Sequence, residues 1–108
     1  MNTKEFLPLG SIVVLEGSPK YFMITIRGVQ IYNEVKELNE EYSYGAVQYP
    51  EGLQDGKLLY FNQKNIFEVI HKGFSDKQDE IYIAELNAAL QKLEESRNVE
   101  IDPFADEK

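Results

Sequence analysis

The sequence predicts an α+β protein: a small five-stranded β domain over residues 1–74, one amphipathic helix over 75–98 and an acidic tail over 99–108. Three observations carry this reading. Short β-branched and aromatic runs recur through residue 71, turn residues separate them, and the hydrophobic period lengthens from two to about 3.6 after Ser75. Five short strands with a tight helical turn before the last match an SH3-like barrel or a bent antiparallel sheet, with an OB-type barrel or an open meander as the other layouts of the same elements.

The first strand is the run Ile12-Val13-Val14-Leu15, framed by Pro8 and Gly10 before it and Gly17 after it. A Gly17-Ser18-Pro19-Lys20 connection leads to a second β run, Tyr21 to Ile26, so the two read as a hairpin. Arg27 to Tyr32 continues the second strand past a bulge at Gly28, since an isolated glycine in a strand pattern often marks one. Asn33 to Glu41 carries four glutamates and reads as a solvated loop or short helical turn.

Tyr42 to Tyr49 is the third strand, with Tyr42, Tyr44 and Ala46 on one face and Val47 and Tyr49 on the other. Pro50-Glu51-Gly52 and Asp55-Gly56 reverse the chain, and Lys57 to Phe61 forms the fourth strand. Asn62-Gln63-Lys64-Asn65 reads as a single helical or 3₁₀ turn, and Ile66 to His71 as the fifth strand, stopped by Gly73.

Ser75 and Gln78 form a capping-box pattern, and Asp76, Asp79 and Glu80 supply the negative charge a helix N-terminus favours. Tyr82, Leu86, Ala89, Leu90 and Leu93, with Ile83 beside them, make one apolar stripe. That stripe needs a cover: the β domain, a second copy of the chain through this helix, or a partner helix. Asn98 and Pro103 bracket the end of the helix.

Composition excludes several function classes. The chain has no Cys and a single histidine, His71, so it offers no disulfide framework, thiolate nucleophile or histidine metal cluster, and no cofactor is expected. The missing thiols favour the cytosol only weakly. The N-terminus lacks a signal-peptide core, and no run approaches the roughly 18 apolar residues of a transmembrane helix, so neither an export signal nor membrane insertion is expected. Net charge is −8, of which residues 74–108 carry −6. That charge repels phosphate backbones and anionic membranes, and nucleic-acid binding is not expected.

No catalytic constellation stands out. His71 is the natural general base at neutral pH, yet no Asp, Ser or Cys pattern accompanies it, and it reads as a strand-end surface residue. The clusters Glu37, Glu40, Glu41 and Asp76, Asp79, Glu80 lack the alternating spacing of a calcium loop. The glycines never form a phosphate-binding pattern. The protein is therefore read as non-enzymatic. Its candidate protein-binding residues are Tyr44 and Tyr49 on the β domain and Tyr82, Leu86, Leu90 and Leu93 on the helix.

Several segments in order resemble a known family: Leu7-Pro8-Leu9-Gly10-Ser11-Ile12-Val13-Val14-Leu15, Arg27-Gly28-Val29-Gln30, Tyr42 to Tyr44 followed by Tyr49-Pro50-Glu51-Gly52, and Phe61-Asn62-Gln63-Lys64-Asn65-Ile66 through Gly73-Phe74. The chain resembles, over about residues 6 to 80, small uncharacterised proteins of Gram-positive bacteria encoded in type VII secretion loci beside LXG-type toxins. The resemblance implies a cytoplasmic chaperone, adaptor or targeting factor that binds an LXG-type toxin or another secretion component; an immunity protein that neutralises the toxin is the alternative. It carries over no catalytic residue. The Asn62-Gln63-Lys64-Asn65 turn is less acidic than the Asn-His-Glu-Asp type typical of such relatives, which bears on partner specificity if that turn makes contact.

Overall fold

Two compact units make up the chain in a computed structural model that describes residues 5–101, with side chains through Leu93. One unit, Phe6–Asp76, holds every strand, and the other holds the helix. The strands are β1 (Ile12–Leu15), β2 (Tyr21–Asn33), β3 (Leu38–Tyr49), β4 (Leu59–Phe61) and β5 (Ile66–His71), with a 3₁₀ turn at Gln63–Asn65. The helix α1 spans Lys77–Ile101.

The five strands form one antiparallel sheet in the order β4-β3-β2-β1-β5. Strands four and five thus lie at opposite edges although only Asn62 to Asn65 joins them. A flat sheet would separate those edges by about 19 Å at the usual strand spacing, more than a four-residue connection can span while wound as a 3₁₀ turn. The sheet is therefore strongly bent. No ladder joins β4 to β5, so it is an open sheet and not a closed barrel.

Register fixes the core. Val13 lies opposite Phe22, Ile24 opposite Ala46, and Tyr44 opposite Phe61, so these side chains share one face. With Leu15 and Phe6 they form the core on this face, Ile12 and Val47 are buried on the other, and Val13, Ile24 and Tyr44 have no exposed surface. Burying each large side chain of this kind contributes about 1.5–3 kcal/mol.

The β2–β3 hairpin departs from the sequence expectation. Its turn is only Glu34 to Glu37, and Leu38 to Glu41 pair with Gln30 to Asn33 as strand. Asn33 sets the turn: its Oδ1 accepts the Lys36 N–H at 3.1 Å and its carbonyl the Glu37 N–H at 2.7 Å. Two of the four glutamates, Glu40 and Glu41, take local and cross-strand partners. Lys36 Nζ donates to Glu40 at 2.9 Å, and Gln30 Nε2 to Glu41 at 3.3 Å. The bulge also moves. The register shift falls between Ile24 and Ile26, whereas Gly28 sits in unbroken register, with Arg27 opposite Tyr44 and Val29 opposite Tyr42.

The turn at Asp55-Gly56 follows its residue types. Both have positive φ, 56° and 67°, the type I′ signature, and the Lys57 N–H donates to the Gln54 carbonyl at 3.0 Å. The fourth strand begins only at Leu59, two residues later than the sequence suggests.

The helix starts at Lys77 rather than Ser75 and runs through Ile101, three residues past Asn98. Residues 99–101 are thus helical, and the rest of the expected acidic tail, 102–108, lies outside the described residues. Tyr82, Ile83, Leu86, Ala89, Leu90 and Leu93 do fall on one side of a 3.6-residue helix. Ile81, Ala84 and Ala88 fall on the other, so along its whole length α1 is only weakly amphipathic.

Candidate protein-binding surface

Tyr44, expected on a recognition face, is instead fully buried. Its ring meets Phe6 edge-on with centroids 6.0 Å apart and Phe61 at 5.6 Å. Its hydroxyl accepts the Leu7 N–H at 2.9 Å and donates to Gln63 Oε1 at 2.8 Å. Burial raises the Tyr44 phenol above the usual tyrosine range, against smaller opposing effects of the Leu7 N–H and the Arg27 guanidinium. The residue ties the N-terminal segment and the 3₁₀ turn to β3 and offers nothing to a partner.

The 3₁₀ turn itself is held inward. Asn62 Oδ1 accepts the Ser43 N–H at 2.9 Å, Asn65 Oδ1 accepts the Asn62 N–H at 2.8 Å, and the Asn65 carbonyl accepts the Glu16 N–H at 3.0 Å. With Gln63 bound to Tyr44, three of the four side chains in Asn62-Gln63-Lys64-Asn65 serve the fold. Lys64, the fourth, is exposed.

Tyr49 does lie on the surface. It is 47% exposed and stacks on Tyr21, itself 40% exposed, with centroids 6.5 Å apart and rings inclined by 25°. The two are register partners at the β2–β3 end, so their stacking follows from strand pairing. A Lys20–Glu51 ion pair at 2.6 Å lies beside them, and the Lys20 ammonium, by its hydrogen bond, holds the Glu51 carboxyl below the ordinary carboxylate range. Tyr21 was not among the sequence candidates. The signal that finds it is its position opposite Tyr49 once the hairpin register is known.

Of the helix candidates, Tyr82 is exposed, and Leu86, Leu90 and Leu93 are part-buried. All four project from one side of α1.

A shallow groove of about 350 Å³ opens between the core face of β2 and β3 and the 52–59 segment. Phe22, Ala46 and Leu59 make its floor, and Gln48, Asp55 and Lys57 its polar edge. His71 is exposed at the end of β5 and does not line it. Among the described residues no cluster of His, Asp or Glu is placed to hold a metal ion, and no helix is long and apolar enough to cross a membrane.

These features define a small α+β domain: an open, bent five-stranded antiparallel sheet followed by one helix. The chain belongs to the family described as Domain of unknown function (DUF4176), which matches residues 6–81. That stretch contains the whole sheet and ends in the first turns of α1, so most of the helix lies beyond the family's common part. No curated protein and no solved structure is significantly similar to the chain.

Proposed function

We propose that this protein is a non-enzymatic accessory factor of a type VII secretion system, a chaperone, adaptor or targeting factor that binds an LXG-type toxin or another secretion component. The stacked, half-exposed Tyr21–Tyr49 pair carries the reading. Tyrosines supply large contact area at little entropy cost and keep a polar tip, which is why they concentrate at interface hot spots. The side of α1 bearing Tyr82, Leu86, Leu90 and Leu93 is the second contact surface, and the −8 charge tunes partner choice and association rate.

Pull-down against separated toxin fragments tests the proposal. Retention by the N-terminal LXG helices supports an adaptor. Capture of the C-terminal toxin domain with loss of toxicity replaces it with the immunity reading, which the acidic charge favours if the toxin surface is basic. Tyr49→Ala should weaken binding about tenfold or more. Its thermal midpoint should stay close to wild type, because the ring is a surface group. Unchanged affinity in Tyr49→Ala, together with loss in a folded Leu86→Asp/Leu90→Asp variant, would move the interface to the helix.

A further inference from the structure

Strand β5 closes one end of the sheet, pairs with β1 alone, and is exposed at every position after Ile66. Edge strands ordinarily avoid pairing with other chains by being short, charged or bulged. β5 is bulged twice, yet the bulges bring out apolar groups. His71 and Val69 pair with Ile12 and Val13, leaving Ile70 as an extra residue, and Glu68 and Ile66 pair with Val14 and Leu15, leaving Phe67 as another. Phe67 is 69% exposed, and Ile70 and Val69 are exposed beside it.

We infer that this edge is a self-association site: β5 pairs antiparallel with β5 of a second copy, joining two open sheets into one continuous ten-stranded sheet. Charge order along the strand selects that occupant. Reading Glu68-Val69-Ile70-His71 and then Lys72, the first residue after the strand, the acid and the base lie symmetrically about Ile70. An antiparallel copy centred there sets Ile70 against Ile70, Val69 against His71, and Glu68 against Lys72 twice. Opposite charges directly across a strand pair stabilise it and like charges destabilise it. The arrangement is isologous and therefore stops at two copies. It is distinct from pairing through α1 and independent of the proposed secretion role.

Sedimentation equilibrium of the full chain over a concentration series, at physiological salt, tests it. The wild type should show a monomer–dimer equilibrium. Glu68→Lys should weaken it about tenfold, as should Lys72→Glu, and the double exchange should restore it. Glu68→Lys lowers the net charge from −8 to −6, so general repulsion between copies predicts tighter association for that variant, the opposite sign. Ile70→Lys sets two ammonium groups face to face and should abolish the dimer while circular dichroism shows a folded chain. A wild type that stays monomeric throughout overturns the inference. So does a dimer indifferent to all four variants, or one lost in Leu86→Asp but not in Ile70→Lys.

Discussion

Tyr44→Ala is expected to leave the sheet unit largely unfolded at ambient temperature. Truncating a fully buried aromatic costs about 3–5 kcal/mol. The stability of a whole small domain is about 5–15 kcal/mol, and a chain of this size sits toward the lower end because it buries a smaller share of its surface. The residue also joins distant parts of the sheet unit, its ring to Phe6 and to Phe61 of β4 and its hydroxyl to Leu7 and to Gln63 of the 3₁₀ turn. Tyr44→Phe separates the two contributions. It keeps the packing and leaves the Leu7 N–H and the Gln63 amide without their partner, a loss of about 1–3 kcal/mol.

Urea unfolding followed by circular dichroism reads both variants. A Tyr44→Phe midpoint equal to wild type would show that the hydroxyl contacts add nothing. The same residue gives stability an alkaline limit. Burial raises its phenol above the ordinary tyrosine value of 10.0, so the folded state holds a proton that the unfolded state has released. This contribution is whole below pH 10 and declines as pH climbs from there through the raised folded value. Tyr44→Phe should flatten that part of the profile.

Gly73→Ala is expected to be nearly as damaging, for a reason unrelated to hydrophobicity. A Cβ at this position would stand 2.3 Å from the Leu9 carbonyl oxygen and 3.0 Å from the Ser11 nitrogen, both backbone atoms. No side chain can swing aside to admit it, so the 9–11 segment and the chain leaving β5 must move apart. That separation breaks the bond from the Gly73 N–H to Ser11 Oγ at 2.9 Å. Ser11 is itself fully buried and donates to the Pro8 carbonyl at 2.7 Å, so the disturbance reaches the N-terminal segment packed over the core. Overpacking together with the lost bond predicts a destabilisation of about 3 kcal/mol, seen as a lower urea midpoint. A midpoint within experimental error of wild type would mean that the two segments are not held this close.

Much of this architecture is legible wherever a residue acts on its immediate neighbours. Ile12–Leu15 and Ile66–His71 are β-branched or aromatic runs with turn residues beside them, and both are strands. Asp55-Gly56 dictates its turn because those residues tolerate positive φ, and Asn62 to Asn65 closes on its own side chains. Leu38 to Glu41 is different. Its acidic composition argues for a loop, and it is a strand because residues of β2 receive its backbone and supply partners for its charges. Where β2 bears its bulge is likewise settled across the sheet, at Thr25 rather than Gly28.

The tyrosines mark the boundary between the two kinds of information. Local alternation, set by the two-residue strand repeat, puts Tyr44 and Tyr49 on opposite faces, and they do lie so. A two-residue repeat says which side chains share a face, but it carries nothing about which face turns inward. That choice came from the bend of the sheet, which folds the Tyr44 face over Phe6 and Phe61 and leaves Tyr49 stacked on Tyr21 in solvent. Sequence alone thus determined the number and order of the strands, the Asp55-Gly56 and 62–65 turns and the presence of the helix, because those depend on bonded and near neighbours, whereas the reach of the β2–β3 hairpin and the place of its bulge did not. Tertiary structure decided inside from outside and open sheet from closed barrel, because both depend on contacts between residues far apart in the chain.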